Sequence, residues 1–179
     1  MENTGKDSII RKVTEEDARA YVACHIACWQ AAYRGIIPDS YLDAMPEDLD
    51  ERTETFRRSL KDPGVYKYYC VESEGEIVGR LIFCKSRDTD RPDVGEVGAI
   101  YLLPAFWDTG LGRRMMDFAL ENLRQMGFST FIVWVLEENT RARRFYEKCG
   151  FVHDGKRKII KVGKALVEIR YVIEGEDSD

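Results

Sequence analysis

Apolar residues recur along this chain first with one period and then with another, and each change of period marks a predicted element. Residues 8–13 (SIIRKV) alternate as a short strand does, and Thr14 with Asp17 predicts the start of an apolar-faced helix. Gly35 and Pro38 are expected to end this helix. The segments PDSYLDAM and EDLDERTETFRRSL predict two more helices, which the KDPG turn closes.

The middle of the chain predicts three strands in succession. The runs VYKYYCVE and IVGRLIFCK face each other across a glycine-containing turn, which predicts an antiparallel hairpin. The run GEVGAIYLL predicts the next strand. Gly98 is expected to mark a bulge or a close backbone approach in this strand, and Pro104 is expected to end it.

The last part of the chain predicts helix, strand, helix and hairpin. Apolar residues at helical spacing begin at Leu111, FIVWVL reads as a strand covered on both faces, and Asn139 is a helix N-cap before a second apolar stripe. Two apolar runs then flank Gly163 as a terminal hairpin. This order predicts a mixed α/β (α+β) fold in a single domain over residues 1–179, with a loose acidic tail from about residue 174.

Composition narrows the class of protein. The formal net charge of -5 disfavours a nucleic-acid binder, which normally has a basic face. The five cysteines are odd in number and mostly lie in apolar runs, as free thiols of a reducing compartment do. Apolar runs fall short of the roughly 20 residues that cross a bilayer. We therefore expect a soluble cytoplasmic protein that acts on neither nucleic acid nor membrane.

The segment WDTGLGRRMM, residues 107–116, has two candidate interpretations. It lacks the third glycine of a dinucleotide-binding G-x-G-x-x-G motif and the Gly-Lys-Ser/Thr of a Walker loop. It does combine a strand end, a glycine turn and a helix N-terminus, whose N–H groups and partial positive charge suit a diphosphate. On its own, the segment is equally consistent with an ordinary loop between a strand and a helix.

Three segments together resemble the GNAT superfamily of N-acyltransferases: EVGAIYLLPAFWDTGLGRRMM, ENTRARRFYEKCGF and CWQAAYRGIIPDSYLDAM. The family pattern Gln/Arg-x-x-Gly-x-Gly/Ala is matched at Gly110 and Gly112, whereas Trp107 stands where Gln or Arg is usual. The resemblance implies a mostly antiparallel central sheet flanked by helices, with two strands splayed at an acetyl-coenzyme A slot. It implies acetyl-coenzyme A as the donor and no metal.

The resemblance also implies roles for particular residues. The strand before Pro104 would pair with the pantetheine arm, the loop into the following helix would hold the pyrophosphate, and Asn139 and Tyr146 would contact the pantetheine region and the thioester sulfur. The implied coenzyme-binding residues are Ile100, Tyr101, Leu102, Asp108, Thr109, Gly110, Leu111, Gly112, Arg113, Asn139 and Tyr146. Asn139 and Tyr146 also have structural interpretations, as a helix cap and a core residue.

Acetylation of an amine requires removal of a proton, because a lysine-like amine with a pKa near 10.4 is mostly ammonium in neutral water. Glu96 lies eleven residues before Trp107, where GNAT proteins often have a glutamate, and the resemblance implies that it acts as the base through water, with water itself as the alternative base. Tyr146 is the predicted proton donor to the thiolate. A charged residue at a strand start is the alternative interpretation of Glu96. Trp29, Tyr33 and Tyr41 are predicted walls of the acceptor pocket, with ordinary core packing as the alternative.

The predicted function is acetyl transfer to a primary amine of a small molecule or a protein, by direct attack in a ternary complex. Polyamines, aminoglycosides, amino-acid-like compounds and protein amines all stay open as acceptors, and so does a homodimer. A catalytically inactive coenzyme A-binding regulatory module is the alternative function. A nucleotide-binding protein is a third interpretation, weakened by the missing glycine and lysine.

Overall fold

The computed structural model describes residues 7–175, and within them the chain folds as one sheet with helices on both faces. The strands are β1 (Ile9–Lys12), β2 (Lys67–Ser73), β3 (Glu76–Lys85), β4 (Gly95–Leu102), β5 (Phe131–Leu136), β6 (Val152–Val162) and β7 (Lys164–Ile173). The helices are α1 (Ala18–Tyr33), α2 (Asp39–Ala44), α3 (Leu49–Lys61), α4 (Leu111–Gln125) and α5 (Thr140–Lys148). The predicted order of elements is confirmed.

The sheet has the strand order β1-β2-β3-β4-β5-β7-β6. Every neighbouring pair is antiparallel except β4 and β5, which run parallel. The parallel pair arises because the β4–α4–β5 connection is a crossover, whereas the hairpins around it reverse the chain. The predicted mixed and mostly antiparallel sheet is therefore confirmed.

The strand β4 changes direction at Gly98. Ala99 pairs with Ile82 and Val97 pairs with Phe83, so Gly98 is the extra residue of a β-bulge, as predicted. A bulge bends its strand and strengthens the local twist. The ladder between β4 and β5 spans only Gly95–Val97 against Phe131–Val133, and beyond it the strands diverge. This divergence produces the predicted splayed slot.

Two hydrophobic cores lie on opposite faces of the sheet. We call the face covered by α1, α2 and α3 the α1 face, and the face covered by α4 and α5 the α4 face. The α4 stripe is fully buried at Leu111, Met115 and Leu123, and each large side chain removed from water contributes about 1.5–3 kcal/mol. Tyr101 belongs to the α1-face core and its neighbour Leu102 packs on the α4 face, because successive strand residues point to opposite faces.

The start of helix α1 and the beginning of the C-terminal tail differ from their predictions. Helix α1 begins at Ala18; the Asp17 carboxylate accepts from the Thr14 N–H and hydroxyl and pairs with Arg11, so it fixes the entry to the helix. The tail predicted to be loose from residue 174 is held at its start, because Glu174 pairs with Arg91 at 2.6 Å and the Gly175 N–H donates to Thr130 Oγ1. Residues 176–179 of that tail lie outside the described residues.

A search for membrane-spanning helices within residues 7–175 finds none with the required length and apolar character.

Candidate functional site

The slot between β4 and β5 is the centre of the candidate site. Ile100, Tyr101 and Leu102 pair with β3 along one edge of β4, while the other edge has lost β5 beyond Val97. Backbone groups that lack a neighbouring strand need another partner when they are shielded from water. The open edge of β4 can therefore accept an extended ligand that carries amide groups.

The loop that follows β4 leads directly into the N-terminus of α4. Gly110 is the N-cap residue with φ +86°, and Asp108 is also left-handed with φ +58°. Thr109 stabilises the turn, since its hydroxyl donates to the Phe106 carbonyl at 2.8 Å. Gly110 has no side chain that could accept hydrogen bonds from the first N–H groups of the helix. The N–H groups of Gly112 and Arg113 therefore stay available to a ligand, at the positive end of the helix dipole. An anion is stabilised at such a position.

Contacts with α5 hold this helix N-terminus in place. A Cβ built on Gly112 would lie 3.4 Å from the Phe145 ring, so the two helices approach closely there. The Arg113 side chain donates to the Lys148 carbonyl at 3.3 Å and pairs with Asp117 at 2.8 Å. Because its guanidinium is engaged in these contacts, the backbone N–H is the group of Arg113 that can contact a ligand at the loop. The two walls of the slot are thus connected on the α4 face.

Trp107, at the position where the resemblance predicts Gln or Arg, makes a second connection. Its indole Nε1 donates to the Leu102 carbonyl at 2.8 Å, and the guanidinium carbon of Arg141 lies 3.5 Å from the centre of its ring. The stack joins the loop after β4 to the first turn of α5. The Trp107 side chain therefore stabilises the structure of the loop, and the backbone N–H groups of the loop are the ones that can contact a ligand.

Asn139 is the N-cap of α5, as predicted, with its Oδ1 accepting from the Ala142 N–H at 3.1 Å. The carboxamide is buried and its oxygen is occupied by the cap. The Nδ2 group is the part of Asn139 that can donate to a ligand in the slot.

Tyr146 is 7% exposed and packs in the α4-face core against Phe151 and Tyr171. Burial raises the pKa of its phenol, and the charges of Tyr101, Cys149 and Glu168 raise it further. The phenol is therefore uncharged at neutral pH, and its hydroxyl has a proton to donate.

Aromatic residues line the α1-face side of the slot. The Tyr33 and Tyr101 hydroxyls lie 2.8 Å apart, and Trp29 packs edge-on against Tyr33 with ring centres 5.1 Å apart. The structure thus brings the predicted Trp29 and Tyr33 to Tyr101. Tyr41 instead packs beside Gly163 at the β6–β7 turn and is 36% exposed.

Glu96 lies on β4 where β4 and β5 still pair, with its carboxylate on the α1 face. It is 2% exposed, and the Arg87 guanidinium and N–H both donate to it. The hydrogen bond to Glu96 raises the pKa of the Arg87 guanidinium. The Glu96 carboxylate is thus already engaged in a strong interaction.

Glu168 is a carboxylate at the site that the sequence predictions did not include. It lies on β7 opposite Leu136, on the α1 face, and its side chain is 20% exposed with Lys158 Nζ at 3.4 Å. Burial raises the pKa of Tyr33, Tyr101 and Tyr146, and the negative charge of Glu168 raises it further. Strand alternation in KALVEIRYVIE puts Glu168 on one face with Leu166, which is the signal that could have identified it.

The fold and the site define an open α/β sheet with a slot between two diverging parallel strands. A model of the acetyltransferase (GNAT) family matches residues 28–151 of this chain. The chain is 32% identical over 131 residues to the uncharacterized N-acetyltransferase YuaI of Bacillus subtilis (strain 168), an alignment that covers 73% of this chain and 72% of that protein. The chain therefore belongs to the GNAT family of acetyltransferases, and is an enzyme of the acyltransferase class.

Solved structures share the fold. The PaiA N-acetyltransferase from Thermoplasma acidophilum, in complex with coenzyme A, superposes with a TM-score of 0.71 at 16% identity, over 94% of this chain and 99% of that chain. The yncA structure from Salmonella typhimurium, with its cofactor acetyl-CoA, superposes with a TM-score of 0.68 at 18% identity, over 96% of each chain. At these identities the likeness shows the common fold alone.

Proposed function

We propose that this protein transfers the acetyl group of acetyl-coenzyme A to a primary amine by direct attack in a ternary complex. The observation that carries the proposal is the divergence of β4 and β5 beyond Val97, beside a helix N-terminus and a buried tyrosine. The coenzyme found in the PaiA and yncA structures supports the choice of donor.

The residues present fit the coenzyme. The open edge of β4 at Ile100–Leu102 would pair with the amides of the pantetheine arm, together with the Asn139 Nδ2 group. The loop from Asp108 to Arg113 would hold the pyrophosphate with backbone N–H groups, and Leu111 and Gly112 would supply the close backbone approach. Arg141, stacked on Trp107, is a further cation beside this loop.

Direct attack is favoured over an acyl-cysteine intermediate. Cys149 on α5 is the cysteine nearest the slot in sequence, but burial raises the pKa of its thiol, which disfavours the nucleophilic thiolate. On the α1-face side of the slot, the acceptor would lie beside the hydrogen-bonded Tyr33 and Tyr101 hydroxyls. An amine can therefore attack the thioester directly, without an acyl-enzyme intermediate.

The proton steps assign roles to two groups. The acceptor ammonium loses one proton to a carboxylate or water, and the neutral nitrogen then attacks the thioester carbonyl carbon. The C–S bond breaks as the amide forms, and the Tyr146 hydroxyl would donate a proton to the departing thiolate and recover one from the amide nitrogen. Net, one ammonium ion and one thioester give one amide, one thiol and one proton.

Thiol release from acetyl-coenzyme A over a panel of primary amines tests this proposal. We expect saturation by both substrates with intersecting double-reciprocal lines, and a fall in turnover for Tyr146→Phe of up to about 100-fold with coenzyme affinity retained. Full activity of Tyr146→Phe would remove that hydroxyl from the mechanism. Coenzyme binding without thiol release for any amine would support the regulatory module instead.

A further inference from the structure

A second cleft opens on the α1 face beside the slot. It has a volume of about 440 Å³ and is walled by α1, α3, β2 and β3. Its lining includes His25, Arg52, Ser59, Tyr68 and Arg80. Arg80 is paired across the β3–β4 ladder with Tyr101, and the His25 ring lies 6.0 Å from the Tyr101 ring. The cleft therefore begins where the acceptor side of the slot ends.

Polar atoms in this cleft lack partners. His25 Nδ1, Arg52 Nε and Arg80 Nε are each buried, and none of them makes a hydrogen bond within the described residues. Buried polar groups in proteins are nearly always hydrogen-bonded, so three orphans in one cleft indicate groups that are held ready for a ligand. Two of the three belong to cations, which selects an anion.

Charges around the cleft set the charge of that anion. Asp48 lies 3.7 Å from Arg52, and the lining also contains Glu51. Of the two arginines in the lining, only Arg52 has a direct contact with one of these acidic residues. Arg80 has no carboxylate partner in the described part of the chain and rests on the Tyr21 ring, with 4.9 Å from its guanidinium carbon to the ring centre. Within the described residues, the Arg80 guanidinium thus has no carboxylate partner, and its N–H groups can bind an anion.

We infer that the cleft around Arg80 binds the carboxylate of the acceptor, so that the preferred substrate is an amino acid or a related amine that carries a carboxylate. A guanidinium binds the planar carboxylate through two parallel N–H donors. His25 adds a ring N–H, since burial and the two arginines lower its pKa to about 2 and keep the imidazole neutral. The inference rests on the proposed function, because the amine of the same molecule would enter the slot past Tyr101.

The geometry also separates the two ends of the acceptor. Glu168 lies on β7 and Arg80 on β3, on either side of the slot-lining Tyr101. The ammonium end of the acceptor would be attracted to the Glu168 carboxylate, and its carboxylate end would be attracted to the Arg80 guanidinium. A polyamine would place a second positive charge against Arg80, where like charges repel. Amines with an anionic end are thereby selected over polyamines.

Initial rates with a homologous series test the inference. Straight-chain ω-amino acids of two to six carbons are compared with alkylamines of matched length, with the corresponding diamines and with aminoalkyl phosphonates. We expect kcat/KM to be highest for one length of amino acid and lowest for the diamines. In Arg80→Gln, the ratio of kcat/KM for amino acid over matched alkylamine should fall by about 10- to 100-fold. Arg80→Lys should recover part of it.

Arg57→Gln is the matched control, because it removes one positive charge from α3 at a residue that pairs with Glu54 outside the cleft. Its ratio should equal that of the wild type. A preference for phosphonates over carboxylates would overturn the choice of anion. An unchanged ratio in Arg80→Gln would overturn the inference itself.

Binding by the same amino acids separates this inference from the proposed function. The melting temperature is measured with coenzyme A present and the preferred-length amino acid added, for the wild type and Arg80→Gln. Stabilisation of the wild type that the variant loses supports the carboxylate site even if no amine releases thiol, an outcome that would refute only the transferase proposal. Equal stabilisation of both proteins overturns the site. Arg80→Gln alone should melt no lower than the wild type, since it removes an unpaired, half-buried cation.

Discussion

At the scale of single residues, Glu96 and Glu168 have different partners although both carboxylates lie on the α1 face. Glu96 is held by the Arg87 guanidinium and N–H, whereas Glu168 has one lysine, Lys158, at 3.4 Å. A general base must give up its existing interaction when it takes a proton. The predicted base Glu96 would lose a buried ion pair, and Glu168 would lose a partly exposed contact that salt and water screen.

The pH dependence of acetyl transfer distinguishes the two carboxylates. A base must be unprotonated, so the rate declines as the pH falls through its pKa and produces an acidic limb. We expect Glu168→Gln to lose this limb and Glu96→Gln to keep it while melting at a lower temperature. Rates from pH 5 to 9 and melting curves of both variants provide the measurement. Loss of the limb in Glu96→Gln alone would restore Glu96 as the base.

His25 makes stability depend on pH in a defined window. Burial, with Arg80 and Arg52, lowers its pKa to about 2, whereas an unfolded chain has a histidine pKa near 6.5. Below pH 6.5 the histidine of the unfolded state takes up a proton, whereas His25 of the folded state does not. The protein is therefore most stable, as far as His25 is concerned, above pH 6.5, and its free energy of unfolding declines as the pH falls below that value. The slope should rise from about 0.7 kcal/mol per pH unit at pH 6.5 to about 1.3 kcal/mol per pH unit at pH 5.

Urea unfolding of His25→Phe, which keeps an aromatic ring against Trp29, checks this slope. The variant should show a flatter dependence over that window, where most carboxylates are already ionised. His153→Gln removes the other histidine, which is exposed, and should retain the slope of the wild type. A slope that is the same in His25→Phe and the wild type would mean that His25 is protonated in the folded protein.

At the scale of elements, the N-terminus of α4 combines a bare cap with close packing against α5. A Cβ at Gly112 would lie 3.4 Å from Phe145 and 3.8 Å from Leu102, which is ordinary contact for an alanine. A carboxylate at the start of a helix is favourable for the fold because it opposes the helix dipole. The same carboxylate would repel a pyrophosphate at that terminus.

Gly112→Asp should therefore separate folding from coenzyme binding. We expect coenzyme A to bind at least about 10-fold more weakly by calorimetry, because a fixed negative charge replaces the attraction of the helix N-terminus. The melting temperature of the free protein should not fall. Gly112→Ala is the control and should bind with nearly wild-type affinity. Equal affinity of the Asp and Ala variants would place the pyrophosphate elsewhere.

At the scale of the whole molecule, the coenzyme would bridge the two halves of the sheet. The strands β1–β4 and β5–β7 are joined by a short parallel ladder, three residues long on each side. A ligand bound along the open edge of β4 and against α5 adds contacts across this junction. Binding to the folded state alone then appears as global stabilisation.

Acetyl-coenzyme A at a hundredfold excess over its dissociation constant should stabilise the fold by about 2.7 kcal/mol. For a chain of this length, such a gain corresponds to a rise in melting temperature of about 5–10 °C. Thermal unfolding with acetyl-coenzyme A, ATP and NAD gives the comparison, and the two nucleotides should give much smaller shifts. The absence of a shift at millimolar acetyl-coenzyme A would refute the assignment of the donor.

Local patterns in the sequence were sufficient to predict the elements and part of the site. Hydrophobic period, the bulge glycine Gly98, the cap residue Asn139 and the loop glycines all depend on residues within a few positions of one another, so they can be read without the fold. The family pattern then predicted which strand end and which helix N-terminus would meet at the slot.

Only the tertiary structure decided which charges are paired and which are free. Glu96 meets Arg87 across the β3–β4 hairpin, and Glu168 lies on the last strand opposite Leu136. Among residues 7–175, Arg80 has no carboxylate partner and rests on the Tyr21 ring. The cost or gain of a charge depends on its burial and on neighbours that are distant in sequence. The sequence by itself therefore determined the order of elements and the glycine turn that begins α4, while the packing of distant segments determined the electrostatics of the α1 face.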